Sequence, residues 1–380
     1  SIHDPRQREA FEVHTKVDAE RYPNLVAARV ALTKDDVDVF YKRFSKEAFW
    51  PTLHTFWERA NFREDHWQVF LKVNKAFAER TAAEAAEGAT VWIHDYNLWM
   101  VPAFLRPLRP DLNIAFFHHT YFPSADVFNV LPWRREIIGS LLQCDYIGFH
   151  IPRQVENFVD VARGVFPLKT LERQNCAPRF ITYGCAVGLE RMTTALDTGT
   201  RQVKLGAHPV GLDIDRVRSA LEAPKIKELM GQLREEMKGV KLILSVERLD
   251  YTKGIDARLK AFEELLRDGT LDPAEVAFVQ VATPSRDDVR GYSNTRTEIE
   301  QLVGSINGNF AQLGKPVLHY LHQSLPFEDL VHLFLAADVM LVTPFQDGMN
   351  LVAKEYIACR SDGTGVLVLS EFAGTAVELH

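Results

Sequence analysis

The sequence predicts an α/β protein with two Rossmann-like, doubly wound domains. From about Thr90 onward, short β-branched apolar runs alternate with amphipathic helical stretches, the pattern of βαβ units around a parallel sheet. The length of 380 residues fits two domains at roughly 100–200 residues per domain. Because 46% of the residues are apolar, the chain can bury a sizeable core.

The first half of the chain carries four predicted strands with helices between them. The strands are expected at Thr90–His94, Asn113–His118, Asp145–His150 and Val203–Val210. The helices include Trp133–Gln143 and Arg153–Gly164.

The second half repeats the alternation more cleanly. Its strands are predicted at Val240–Val246, Val276–Ala282, Val317–Leu321, Asp338–Thr343 and Gly365–Ser370. Its helices are predicted at Ile255–Arg267, Phe327–Ala336 and from about Met349 to Ala358. The least apolar connection, Asp213–Gly239, is charged and helical in character. We therefore expect an N-terminal domain of residues 1–213 and a C-terminal domain of residues 214–380.

Composition and charge exclude several classes of partner. There are 44 Lys and Arg residues against 51 Asp and Glu, a formal net charge of −7, which gives no footprint for nucleic acid or an anionic membrane. No apolar stretch approaches the roughly 18–20 residues that span a bilayer, and Ser1–Asp18 lacks a signal-peptide core. Four cysteines show neither a C-x-x-C pair nor metal-ligand spacing: Cys144, Cys176, Cys185 and Cys359. We expect a cytoplasmic protein with free thiols.

Several catalytic motifs are missing from the sequence: G-x-G-x-x-G after a strand, the P-loop, H-E-x-x-H and G-x-S-x-G. The acidic run Asp35–Asp38 resembles a metal-binding triplet. It follows Thr33 at a predicted helix start, however, where acidic residues favour the N-terminal end of the helix dipole. No metal site is therefore predicted.

Two loops at the carboxyl ends of predicted strands carry groups suited to anions and hydroxyls. Arg248 and Lys253 follow the strand Val240–Val246, beside a glycine that opens a helix. After the strand Asp338–Thr343, a turn from Asp347 runs into a helix whose first N–H groups could face an anion, and Glu355 could reach a ribose diol. Taken singly, solvated loop cations and an exposed helix carboxylate would explain these residues.

Four segments of the sequence favour a ligand-binding role for these residues over that explanation. "SVERLDYTKGID", "ATPSRDDV", "INGNFAQLG" and "VTPFQDGMNLVAKEYIACRSD" closely resemble the family of retaining glycosyltransferases that contains trehalose-6-phosphate synthase and glucosylglycerol-phosphate synthase. The resemblance implies the GT-B architecture, two Rossmann-like domains with a cleft between them. It also implies metal-independent transfer of glucose, without a cofactor, from a nucleotide diphosphate glucose to a phosphorylated acceptor.

The resemblance also implies roles for individual residues. Arg248 and Lys253 match the pair that neutralises the leaving diphosphate, and His119 and Asp95 match groups near the scissile bond and the acceptor. The matching donor-binding residues are Asp347, Gly348, Met349, Asn350, Leu351 and Glu355. The matching acceptor-phosphate residues are Tyr41, Trp50 and Arg286, with Asp95 beside them. In the mechanism that the family implies, the acceptor attacks on the face that the phosphate leaves.

Three acceptor-facing segments depart from the trehalose-type pattern. The trehalose-type enzymes usually read F-S-N-A-x-L-W-P at the position of Phe44–Pro51. They usually read H-D-Y-H-L at the position of His94–Trp99 and F-L-H-I-P-F-P at the position of Phe117–Pro123. The three segments of this chain resemble the members that use sn-glycerol 3-phosphate, so we expect that acceptor, with ADP-glucose as the favoured donor, in osmolyte synthesis. Glucose 6-phosphate is the second candidate acceptor. Two further hypotheses are a catalytically silent sugar-phosphate sensor and a regulatory partner of another synthase.

The ends of the chain differ from the family pattern. About the first 25 residues show neither the glycine-rich loop nor the early arginine that the family usually has. The sequence ends at His380, before the closing helices that the family pattern leads us to expect. Both domains are therefore expected to be incomplete. Small-molecule substrates and a homo-oligomer are the expected partners.

Overall fold

A computed structural model describes residues 13–284, 290–360 and 362–379. The chain forms two compact units. Unit 1 runs to Cys176 and resumes over Glu190–His208, and unit 2 consists of Ala177–Leu189 and the chain from Pro209 onward. The predicted boundary after Asp213 lies a few residues beyond His208.

Unit 1 contains a mixed six-stranded sheet. Two short strands, β1 (His14–Lys16) and β2 (Val26–Ala28), form a separate antiparallel pair. The sheet strands are β3 (Thr90–His94), β4 (Asn113–Phe117), β5 (Tyr146–Phe149), β6 (Lys169–Asn175), β7 (Arg191–Asp197) and β8 (Gln202–Ala207). Their order is β3-β4-β5-β8-β7-β6, and β3, β4, β5 and β8 run parallel. The four predicted strands are these parallel ones.

The antiparallel strands β6 and β7 were not predicted. β6 is almost entirely exposed, and its registration with β7 slips between Thr170 and Arg173. A strand without a buried face has no apolar alternation to reveal it. The sequence signal is therefore absent at β6, the edge strand of the sheet.

The helices of unit 1 cover this sheet and the region before it. They span Lys34–Val37, a π-helix at Asp38–Phe49, Trp50–Leu53, Glu64–Glu84, Val101–Leu108, Ala125–Phe128, Arg134–Leu141 and Pro152–Val165. Single 3₁₀ turns occupy Trp57–Arg59 and Tyr96–Leu98. The helix start at Thr33 is confirmed: Thr33 and Asp36 form a reciprocal capping box, and Asp36 accepts a 2.7 Å hydrogen bond from Lys72.

Unit 2 contains an all-parallel five-stranded sheet. Its strands are β9 (Lys241–Arg248), β10 (Val276–Thr283), β11 (Leu318–Leu321), β12 (Val339–Val342) and β13 (Val366–Leu369). The order β11-β10-β9-β12-β13 places the first strand at the centre, with the chain winding first to one side and then to the other. The winding direction reverses between β9 and β12, and ligands of such sheets bind at the carboxyl ends flanking that reversal.

Helices cover both faces of the unit 2 sheet. They span Ile214–Glu222, Pro224–Glu236, Ile255–Arg267, Arg290–Phe310, Phe327–Ala336 and Leu351–Cys359. Leu242, Leu244 and Val246 of β9 point into one core, and Phe278 of β10 points into the other. β9 and β10 are buried on both faces and read as continuous apolar runs. β13 also reads as an apolar run, although Val366 and Val368 are exposed, and the sequence located all five strands. The prediction of an α/β fold with two Rossmann-like units is confirmed.

Gly254, between β9 and its following helix, permits a close approach of two loops. Its φ of +66° lies in the left-handed region, and a Cβ there would stand 3.0 Å from the carbonyl oxygen of Thr343 after β12. The absence of a side chain at Gly254 therefore allows the two loops to lie in contact.

We expect Gly254→Ala to lower the free energy of unfolding of unit 2 by about 2 kcal/mol, the cost of strain plus displacement of Thr343. Gly269→Ala is the matched control, because Gly269 also has a positive φ (+78°) but no atom within 4 Å of its Cβ position. That variant should cost only about 1 kcal/mol. Calorimetric unfolding measures both, and equal costs would contradict the proposed contact.

Candidate active site

The carboxyl end of β9 carries both predicted diphosphate-binding cations. Arg248 is the last residue of β9 and is exposed, and Lys253 lies in a single 3₁₀ turn directly before Gly254. Asp250 fixes this turn, because its Oδ1 accepts hydrogen bonds from the backbone N–H of Thr252 (3.0 Å) and its hydroxyl (2.9 Å). The loop is therefore built to present both cations at the edge of the sheet.

The carboxyl end of β12 leads into the second predicted loop. Asn350, with φ of +80°, caps the helix Leu351–Cys359: its Oδ1 accepts from the backbone N–H of Ala353 at 3.0 Å. Its Nδ2 donates to Asp347 Oδ2 at 3.1 Å. Met349 is buried and its carbonyl accepts from the N–H of Thr375, whereas Leu351 is exposed. The turn is thus held from both sides.

An ion pair joins the two loops. Lys253 Nζ lies 2.6 Å from Asp347 Oδ2, with only 12% and 15% of the two side chains exposed. The backbone N–H of Phe345 also donates to the carbonyl of Thr252 at 3.1 Å. The structure therefore brings Lys253 together with Asp347 and the start of the helix, at the point where the winding direction reverses.

Glu355 lies one turn inside the helix that Asn350 caps. Burial raises the pKa of its carboxyl, and the nearby Arg216 guanidinium opposes that shift. A carboxylate in this partly buried position can accept hydrogen bonds from a diol that displaces water.

A buried polar network lies beneath the cation loop. Glu247 on β9 and Gln280 on β10 share the sheet face that packs against the helix Ile255–Arg267, and Arg258 from that helix reaches both. The Arg258 guanidinium also donates to the carbonyl of Lys253 at 3.1 Å and to Thr343 Oγ1 at 2.9 Å. One side chain therefore ties the cation loop, both strands and the end of β12 together.

In unit 1, Asp95 organises the carboxyl ends of β3 and β4. Its φ of +63° is strained for a non-glycine residue. Its Oδ1 accepts from the N–H groups of His119 (3.2 Å) and Thr120 (3.1 Å), and its Oδ2 accepts from the Thr120 hydroxyl (2.9 Å). Asp95 thus positions the loop that carries His119.

His119 belongs to a group of imidazoles at these strand ends. Its Nε2 lies 2.9 Å from Nδ1 of His94, so one ring donates a proton and the other accepts it. Partial burial and His94 lower the pKa of His119, and Asp95 opposes the shift. Burial lowers the pKa of the neighbouring His150 to about 4. The imidazoles of His119 and His150 are therefore neutral near pH 7.

Tyr41 and Trp50 lie on consecutive helical segments, the π-helix and the short helix that continues it. Tyr41 is exposed, whereas Trp50 is buried and its ring centroid lies 6.3 Å from that of Tyr96, the residue after Asp95. The structure thus groups Trp50 with the end of β3. Arg286 lies outside the described residues.

The described residues contain neither a metal-binding cluster nor a membrane-spanning helix. Over 13–284, 290–360 and 362–379, there is no cluster of three or more His, Cys, Asp and Glu side chains suited to a metal ion. Within the same ranges, no helix is long and apolar enough to cross a bilayer.

Comparison with known proteins identifies the class. Residues 3–380 match the sequence profile of glycosyltransferase family 20, and the chain belongs to this family. The expected resemblance is therefore confirmed.

Two relatives show how similar the chain is to individual members of the family. The chain is 71% identical over 379 residues to the glucosylglycerol-phosphate synthase of Pseudomonas anguilliseptica, covering 99% of this chain and 50% of the relative. It is 48% identical over 355 residues to the trehalose-6-phosphate synthase of Mycolicibacterium vanbaalenii, covering 92% and 69%. The chain thus spans half the length of the Pseudomonas relative.

A solved structure of a UDP-forming α,α-trehalose-phosphate synthase from Burkholderia xenovorans, in complex with glucose-6-phosphate, superposes with a TM-score of 0.81. It is 31% identical, and the match covers 93% of this chain and 75% of that one. Trehalose-phosphate synthases of this kind have the GT-B fold, in agreement with the predicted fold class.

Sequence reasoning missed the network around Arg258. A signal was present, because Glu247 and Gln280 interrupt two otherwise apolar parallel strands, and polar groups buried in a core need partners. The partner, on a separate helix, could be found only from the three-dimensional packing.

Removing the guanidinium of Arg258 should destabilise unit 2 strongly, because Glu247 would remain as a buried charge without its partner. We expect Arg258→Met to lower the free energy of local unfolding by about 3–5 kcal/mol. Adding Glu247→Gln should recover more than half of that loss. Hydrogen exchange of the β9 and β10 amides measures both.

The control for this pair is Lys260→Met on the same helix. Lys260 and Asp256 form an exposed ion pair, at 60% and 36% side-chain exposure, which is worth less than about 0.5 kcal/mol. A loss at Arg258 no larger than this control would show that the network is not coupled.

The stability of unit 1 should fall as the pH falls from about 6.5 to 4. The folded chain keeps His150 neutral, with its pKa lowered to about 4, so the unfolded chain binds more protons in this window. This group contributes about 3 kcal/mol, present above pH 6.5 and lost on approaching pH 4. His150→Phe should flatten the decline by that amount.

Tryptophan fluorescence measures this change in unit 1 alone. All six tryptophans of the chain lie between Trp50 and Trp133, within unit 1. An unchanged pH slope in His150→Phe would exclude His150 as the titrating group.

Proposed function

We propose that the protein transfers glucose, with retention, from a nucleotide diphosphate glucose to sn-glycerol 3-phosphate. The observation that carries this proposal is the junction of Lys253, Asp347 and the capped helix start at the reversal point of the unit 2 sheet. Cations and the N–H groups of a helix start suit a diphosphate, and a carboxylate suits sugar hydroxyls.

The donor-binding residues have complementary roles in this proposal. Arg248 and Lys253 bind the diphosphate, and Asp347 with the turn Gly348–Leu351 binds the glucose hydroxyls. Glu355 accepts from the ribose. ADP-glucose is the favoured donor, with UDP-glucose as the second candidate.

The reaction needs charge neutralisation more than a protein base. The bond between the anomeric carbon and the phosphate oxygen breaks, the acceptor oxygen bonds to that carbon on the same face, and the acceptor proton passes to the leaving phosphate. Arg248 and Lys253 stabilise the charge that develops on the diphosphate. Because two side-chain cations supply this stabilisation, we propose that neither a metal nor a cofactor is required.

Unit 1 supplies Asp95, His119, Tyr41 and Trp50 to the acceptor side of the proposed reaction. Asp95 holds the His119 loop, and the neutral imidazole of His119 is suited to hydrogen bonding near the scissile bond. Tyr41, Trp50 and Arg286 are proposed to surround the acceptor phosphate. The 71% identity to a glucosylglycerol-phosphate synthase supports glycerol 3-phosphate as the acceptor.

One assay tests two competing functions. Glucose 6-phosphate as the acceptor is favoured by the 48% identity to a trehalose-6-phosphate synthase, and a silent sensor would bind substrates without turnover. Release of nucleotide from ADP-glucose or UDP-glucose is measured with each acceptor. Release with glucose 6-phosphate only would overturn the proposed acceptor, and binding without release would favour the sensor.

The cellular setting is part of the proposal. We propose a cytoplasmic enzyme of osmolyte synthesis, acting on small molecules and without nucleic acid or membrane partners, and forming a homo-oligomer. The free thiols of all four cysteines support a reducing compartment.

Removing one diphosphate cation should slow turnover by about a hundredfold, the usual effect of losing one preorganised electrostatic group. Arg248→Ala in the full-length protein tests this, with kcat measured at saturating donor and acceptor. Lys260→Ala, an exposed cation on the next helix, should leave kcat unchanged. An unchanged kcat in Arg248→Ala would remove that residue from the mechanism.

A further inference from the structure

Lys46 is a buried cation enclosed by aromatic side chains in unit 1. Only 5% of the residue is exposed. Its ammonium lies 4.3 Å from the ring centroid of Trp50, 5.2 Å from that of Tyr96 and 5.8 Å from that of Tyr41, and it donates to the Tyr96 hydroxyl. We call these three rings the Lys46 cage.

The π-helix accounts for this grouping. Its hydrogen bonds run from residue i to i+5, so that Tyr41 and Lys46 fall one turn apart on one side, and the helix continues directly into Trp50. Wide turns of this kind are rare and cluster at functional sites. An ordinary α-helix would turn residues five apart away from each other.

Neutral groups of the cage contribute to stabilising the ammonium. Ring faces attract cations through their quadrupole, and the Tyr96 hydroxyl supplies a lone pair. A cation that has given up most of its hydration interacts strongly with an anion that comes within reach. Tyr41, 40% exposed, is the most exposed ring of the cage, so an anion would reach the ammonium from the Tyr41 side.

The cage is also continuous with the end of β3. Tyr96 directly follows Asp95, the residue that holds the His119 loop. The Lys46 ammonium therefore lies inward of Tyr41, toward the strand ends.

We propose that Lys46 binds the phosphate of the acceptor and selects a short polyol monophosphate over a hexose phosphate. This inference rests on the proposed function. In glycerol 3-phosphate the reacting hydroxyl is nearer to the phosphate along the carbon chain than in glucose 6-phosphate. A short acceptor therefore needs its phosphate held closer to the strand ends, where Lys46 adds a cation and its stem fills space that a sugar ring would occupy.

The test compares Lys46→Met, Lys46→Arg and Lys46→Asn in the full-length protein. We expect Lys46→Met to raise the KM for glycerol 3-phosphate at least tenfold and to leave the donor KM within twofold. Lys46→Arg should retain most of the affinity, because it keeps the charge. Lys46→Asn should shift the ratio of kcat/KM values at least tenfold toward glucose 6-phosphate.

Lys75→Met is the matched control, because Lys75 lies on an exposed helix face in the same unit, 62% exposed. It should change neither KM. Tryptophan fluorescence checks the folding of unit 1. Lys46→Asn carries the residue that the trehalose-type segment has at this position, so it tests the proposal even where Lys46→Met does not fold.

The outcomes separate this inference from the proposed function. Acceptor KM within twofold of wild type in Lys46→Met, or equal losses in Lys46→Met and Lys46→Arg, would overturn the role of Lys46. Wild-type turnover with glucose 6-phosphate alone would overturn the proposed acceptor and the selectivity, while the KM of that substrate still reports on phosphate binding. Without turnover, calorimetric binding of glycerol 3-phosphate to wild type and Lys46→Met gives the same comparison.

Discussion

The candidate donor site depends on the hydrogen bonds that the Arg258 guanidinium makes. It is buried with Glu247 and Gln280 and donates outward to the carbonyl of Lys253 and to Thr343. A buried charge pair is costly to desolvate and is tolerated only when its geometry and hydrogen bonds are satisfied. Satisfying them fixes the relative positions of two strand ends and two loops. The placement of Arg248 and Lys253 thus follows from a requirement of the core.

In unit 1, a carboxyl group positions the loop that carries a candidate site residue. Asp95 adopts a strained backbone conformation and accepts three hydrogen bonds from the loop after β4. Both units therefore hold one polar side chain with several hydrogen bonds, and that side chain positions a neighbouring loop. Preorganisation of this kind lowers the cost of ordering a site when a ligand binds.

The sequence predicted most of the fold because the parallel strands read as short apolar runs between helical stretches. It failed at β6, which has no buried face, and at the π-helix, since no periodicity rule distinguishes that segment from an α-helix. The candidate residues were predicted from two loops and a family resemblance. The sequence could not predict which of them meet, because Lys253 and Asp347 are 94 residues apart and pair only through the strand order.

The short segment Ala177–Leu189 gives the chain an unusual path. It packs within unit 2, where the N–H of Ile181 donates to the carbonyl of Val377 and that of Ala186 donates to Glu371, although the chain on both sides of it belongs to unit 1. The chain therefore passes between the units three times, after Cys176, Leu189 and His208. Neither unit is a continuous stretch of sequence, so a single cleavage cannot separate them. β8 is also synthesised only after residues that belong to unit 2, so the unit 1 sheet cannot be completed during synthesis until that detour has emerged.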